Sequence, residues 1–238
     1  MARDPNNIMN LQPGIDEHRT INIIPEYHRE NYDLNDQKQF IKYIKAIELD
    51  IRRSIEYQQF ISYIKEYAGM NRCTYLPMVS CEDTYKIRIE LHHEPLTLYD
   101  IVMAIYKKRV AFRESLDEFM VAKEVMYVHY KLNVGLIPVC ETIHELIHSQ
   151  YLFVPTYVVF GKYKEFIKAY EAYIEPETLN TLSKIEKISE TFDIEKVRNF
   201  LQPHMLTIDA TGAGIPNNKD EIMTFIKSNL DRLDQLQS

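Results

Sequence analysis

Four of the chain's eight histidines fall into two tight groups, the adjacent pair His92-His93 and the spaced pair His144 and His148. On a helix an i, i+4 pair stacks on one face, about 5–6 Å apart at Cβ. Two imidazoles so placed are a ready bidentate metal site, although a polar helix face can carry the same spacing without a ligand. Adjacent strand residues face opposite ways. If His92-His93 ends a strand, one ring can turn to a metal while the other stays free to move a proton near neutral pH. The chemistry such a set could perform is metal-assisted hydrolysis. His144-Glu145-Leu146-Ile147-His148 also fits H-E-x-x-H, in which both histidines hold zinc and Glu145 activates the bound water. That arrangement needs a third ligand, for which Glu165 and Glu171 are candidates, and it leaves His92-His93 without a role.

The elements around these residues must position them. Tyr85, Ile87, Ile89 and Leu91 alternate with Lys86, Arg88 and Glu90, a period-2 strand that runs straight into His92-His93. Cys140 to Gln150 reads as a short helix, and 133–138 as a loop or short strand ahead of it. Residues 97–131 read as two helices. Thr97 caps the first, and Ser115 with Glu118 makes a capping box for the second. Upstream, apolar steps of three and four residues from Phe40 to Ile64 predict one long helix, capped by Asn35 or Asp36 and ended by Gly69. A second short strand, interrupted by Pro77, is expected over 74–79. Residues 1–34 read as an irregular arm. Further helices are expected near 162–174, 177–192, 194–202 and 219–236, with a Gly- and Pro-containing loop at 207–218.

The order strand, His92-His93, Asn133, Cys140, His144, His148 resembles the HNH (ββα-metal) endonucleases, over about residues 73–155. The resemblance implies that His92, His144 and His148 hold a divalent ion (Mg2+, Mn2+ or Zn2+), that His93 is the general base, and that Asn133 fixes the catalytic loop. Between His93 and His144 lie many more residues than the compact motif allows, which fits the helices of 97–131 as an insertion. Ile143 stands where zinc-stapled members carry a second Cys, so no structural staple is expected at Cys140. DNA would be the substrate, with phosphate contacts from Lys107, Lys108, Arg109 and Arg113 in the insertion and from Arg52 and Arg53 on the long helix. The nearest members in pattern are phage-type.

Composition bounds the rest. The chain has 238 residues, 45% hydrophobic and 26% charged, with a net charge of −7 and no Trp. That excludes a disordered chain and a broadly basic nucleic-acid binder, though a local positive groove remains compatible with it. No apolar run reaches the length of a membrane span. Three cysteines are too few for a disulfide framework, which suggests a reducing, cytoplasmic setting, the host's if the source is a phage. Gly212-Ala213-Gly214 lacks the residues of a nucleotide loop.

The expected fold is α+β and predominantly helical, with a small ββα-metal element among long helices. The expected parts are an arm (1–34), a core (35–160) and a helical C-terminal region (161–238). Three functions are compatible with these readings. One is an HNH-like nuclease acting on DNA through His93. Another is a structural or interaction protein with a degenerate ββα fold, meeting protein partners through the arm or the acidic C-terminal helices. The remaining one is a zinc metallopeptidase relying on Glu145.

Overall fold

The computed structural model describes residues 31–80 and 87–204. Residues 1–30 of the N-terminal arm, the start of the expected strand at Tyr85, Cys81, the 207–218 loop and the 219–236 helix lie outside them. Two compact units divide the chain, Met1–Leu201 and Gln202–Ser238. Of the second, only a 3-10 turn at Gln202–His204 is described. All the described α-helices and strands belong to the first.

The protein is predominantly helical with one two-stranded antiparallel sheet. Helix α1 spans Gln37–Arg53 and α2 Ile55–Tyr67. Periodicity predicts one long helix here, and Ser54 divides it. Ser54 is extended (ψ 144°), its hydroxyl donates to Ile51 O and accepts from Tyr57 N–H, and so it stops one helix and caps the next. The apolar stripe runs through both halves because the residue count is unbroken, so periodicity alone does not reveal the break. Asp36 caps α1 by accepting from Gln39 N–H.

Strand β1 is Ile89–His93 and β2 is Leu136–Cys140. They pair from Ile89↔Cys140 to His93↔Leu136. Between them run α3 (Leu98–Ala111) and α4 (Glu118–Tyr130). Thr97 caps α3 in a capping box completed by Asp100. For α4 the expected Ser115–Glu118 box is not used. Asp117 caps the helix by accepting from Phe119 N–H, and the Glu118 residue is buried. Helix α5 (Glu141–His148) follows β2 directly and packs on both strands through Ile143 and Ile147, so a ββα unit is present. The chain continues through α6 (Tyr163–Tyr170), α7 (Pro176–Ser189) and α8 (Ile194–Leu201). The expected strand at 74–79 is a loop with one isolated bridge, Arg72↔Ser80. Pro77 removes a donor there, and Thr74 instead gives its N–H and hydroxyl to Pro138 O.

Helix α3 is the centre of the core. It buries Ile101, Val102, Ala104 and Ile105 almost all round and packs against α1 and α4. A helix enclosed on most sides has little need of a polar face. Helix α6 buries Tyr163 and Phe166.

Candidate functional site: a three-histidine cluster

Pleating of β1 sorts its residues. Ile89, Leu91 and His93 turn toward the helical core, while Glu90 and His92 face α5. On α5 the apolar residues Ile143 and Ile147 anchor the helix to the sheet. His144 and His148, one position further on, are carried along its edge toward His92. One ring nitrogen from each of His92, His144 and His148 can be chosen so that all three lie within 4.8 Å of one another. Ring centroids are 5.0 Å apart for His92–His144, 5.1 Å for His92–His148 and 4.4 Å for His144–His148.

Hydrogen bonding assigns the tautomers. A carboxylate only accepts, so His144 Nδ1–H donates to Glu90 Oε2 at 2.5 Å. That leaves the His144 Nε2 lone pair directed into the cluster, 2.9 Å from His148 Nε2. The other oxygen of Glu90 is held by Arg88 Nε at 3.0 Å. His92 is nearly buried, with Nε2 3.4 Å from Glu94 Oε2. Burial is the leading cause that holds both His144 and His148 below the usual imidazole range, and in His144 the Glu90 hydrogen bond opposes it. Neutral imidazoles are the form that ligates metal.

His93 takes the other direction. It is 3% exposed, stacked against Tyr57, and its Nε2 is 3.0 Å from Nε2 of His129, which is fully buried. His129 Nδ1–H donates to Val125 O, so its Nε2 accepts, and His93 Nε2–H must be the donor. The remaining lone pair, on His93 Nδ1, is buried without a hydrogen-bond partner. A general base needs its lone pair within reach of a water or substrate proton. Here the lone pair is sealed in the core, and burial, followed by the charges of neighbouring groups, holds the ring well below its ordinary range. The role expected for His93 is therefore corrected to that of a core residue. His129, to which the sequence assigned nothing, is its partner. Its signal was the placement of a polar residue on the apolar face of α4.

The other candidates disperse. Asn133 closes the C-terminus of α4 through its backbone N–H to Val128 O. Glu145 is exposed and does not join the cluster. The third member of the cluster is His92 of β1, upstream; Glu165 and Glu171 are exposed and do not join it. Most of the basic residues are neutralised internally. Lys107 pairs with Glu175, Lys108 with Glu114 and Glu124, Arg109 with Glu124 at 2.7 Å, and Arg52 with Glu48 at 2.9 Å. Arg109 is 6% exposed and also donates to Ser115 O. Arg53 and Arg113 are exposed. Cys73 and Cys140 are both buried free thiols, and a hydrogen bond between them lowers the first and raises the second from the usual thiol range.

Residues 7–213 match the bacteriophage G278-like virion protein family. The chain belongs to that family. No curated protein and no solved structure matches it. Membership of a G278-like virion protein family, and not of an HNH endonuclease family, overturns the nuclease reading together with its hydrolase and endonuclease terms. The correction and the geometry agree at His93. The virion-family chain keeps a ββα element, but the residue that would serve as base is packed under the sheet. Among the described residues no helix is long and apolar enough to cross a membrane.

Proposed function

We propose that this chain is a non-catalytic structural component of a bacteriophage particle, acting through contacts with other particle proteins. The observation that carries this reading is the family match, which spans 7–213 and so takes in the ββα unit and the whole helical core. Two features of the fold support it. His93 has no lone pair open to solvent. The cations of α3 pair with Glu114, Glu124 and Glu175 of the same chain, which ties α3 to neighbouring segments and offsets their positive field. Within the C-terminal region, residues 171–238 carry seven Lys/Arg against twelve Asp/Glu and suit basic protein partners better than nucleic acid.

The test is quantitative mass spectrometry of gradient-purified particles of the encoding phage. The chain is expected at a fixed copy number per particle that survives a high-salt wash. Its presence in infected-cell lysate but not in purified particles would sink the reading.

A further inference from the structure

Three imidazoles from two distant segments converge at one place, His92 buried, His144 half-buried and His148 exposed. We propose that His92, His144 and His148 bind one Zn2+-like divalent ion, with water in the fourth position, and that the ion clasps α5 to β1.

The geometry carries this assignment. Three nitrogens on a tetrahedral zinc, each about 2.0–2.1 Å from the metal, lie about 3.3–3.4 Å from one another. The cluster brackets that value, with 2.9 Å between the Nε2 atoms of His144 and His148 and no separation above 4.8 Å. His148 is exposed, so its ring has room to turn about its χ angles. Glu90 supplies the outer support that metal-ligating histidines need. Its carboxylate takes the His144 Nδ1 proton, fixes the ring orientation and makes Nε2 a better donor. Arg88 steadies that carboxylate from the side. The donor set selects the metal. All three ligands are nitrogen, and neither Glu90 nor Glu94 belongs to the converging set. Mg2+ and Mn2+ favour oxygen donors, whereas imidazole suits zinc and its neighbours in the first row.

The role is structural. His92 comes from a strand and His144 and His148 from a helix more than forty residues later in the sequence, so the ligands meet only in the folded protein. An ion bound there favours the folded state over the unfolded one. The site exists in the isolated chain whether or not the chain is packaged, and its failure would leave the particle reading untouched.

The experiment uses the purified full-length chain, stripped with chelator and then titrated with Zn2+ alone and, separately, with Co2+ alone. One equivalent of Zn2+ per chain is expected, unaffected by millimolar Mg2+. Co2+ should give the visible bands of a four-coordinate ion without a thiolate charge-transfer band. His148→Ala removes an exposed ring and leaves Ile143 and Ile147 in place. It should keep its circular dichroism while losing about 100-fold or more in affinity, and Glu90→Gln should lose about 10–100-fold. Absence of saturable Zn2+ binding in the wild type overturns the site. So does an equivalent bound with unchanged affinity by His148→Ala, or a thiolate band, which would move the ion to Cys73 and Cys140.

Discussion

At the scale of single residues, the four grouped histidines divide three to one, His92, His144 and His148 converging while His93 turns to the core, a division that their types alone do not distinguish. His92 and His93 are neighbours in sequence and identical in chemistry, yet one faces α5 and the other faces His129. His93 and His129 are buried neutral, which has a consequence in acid. Burial lowers His129 from 6.5 to about 4, with Val125 O opposing the shift and Arg52 adding to it. Between those pH values the unfolded chain binds more protons than the folded one, so stability present above pH 6.5 is lost as pH falls toward 4. Thermal melts should show a constant Tm from pH 8 to 7 and a progressive fall below about 6.5. His129→Leu should lower Tm at pH 7, since His93 Nε2–H loses its acceptor at a cost of about 1–3 kcal/mol. It should also flatten the acid limb. An acid limb as steep in the variant as in the wild type would show that these rings are not the groups responsible.

At the scale of elements, the ββα unit depends on a close approach between the end of β1 and the start of β2. Glu94 N–H donates to Gly135 O, and a Cβ built on Gly135 would sit 1.8 Å from Glu94 O and 2.7 Å from Val159 Cγ1. The backbone on one side and a packed side chain on the other leave no room to give. Gly135→Ala should therefore cost about 3 kcal/mol or more in urea unfolding. Gly69 is the control. Its φ of +70° penalises a side chain, but nothing lies within 4 Å, so Gly69→Ala should cost only about 1 kcal/mol. Equal costs for the two would mean that the approach at Gly135 is looser than described. Much at this scale was legible in the sequence. The strand into His92-His93, the Thr97 cap, the two helices of the insertion and the short helix after Cys140 all follow from local pattern. Ser54 was not legible as a break, because a hydroxyl that caps the next helix looks the same in sequence as one lying on a helix surface. The choice of Asp117 over Ser115 at α4 was hidden for a related reason. Ser115 Oγ accepts from Asp117 N–H, two residues on, and leaves the first turn of α4 to the Asp117 carboxylate; both are good capping residues in sequence.

For the whole molecule, the ligand set proposed for zinc links the two ends of a long insertion, so metal binding and global stability are coupled. At free Zn2+ about 100-fold above Kd the gain is about 2.7 kcal/mol, or a Tm rise of about 5–10 °C for a chain of this size. Scanning calorimetry should show that rise for the wild type and its loss on addition of chelator or in His148→Ala. An unchanged Tm in saturating Zn2+ would mean that the ion does not hold the fold together. The HNH-like order of residues is real in the chain and delivers a ββα unit, but family membership places the chain among virion proteins. Activity depends on where one lone pair points, and residue order does not report that.

Read alone, the sequence was enough to establish the mostly helical α+β class, a strand that runs into His92-His93, though among the described residues it begins at Ile89, the helix bearing His144 and His148 and the net negative charge. Each of these rests on spacing along a few residues or on composition, which are local or additive properties. Only the tertiary structure decided that His92 reaches His144 and His148 while His93 is sealed against His129, and that Glu90 orients the cluster. It also decided that Lys107, Lys108 and Arg109 spend their charge within the fold. Those outcomes depend on which distant segments meet, and pairing between segments separated by tens of residues is set by packing of the whole core rather than by any local pattern.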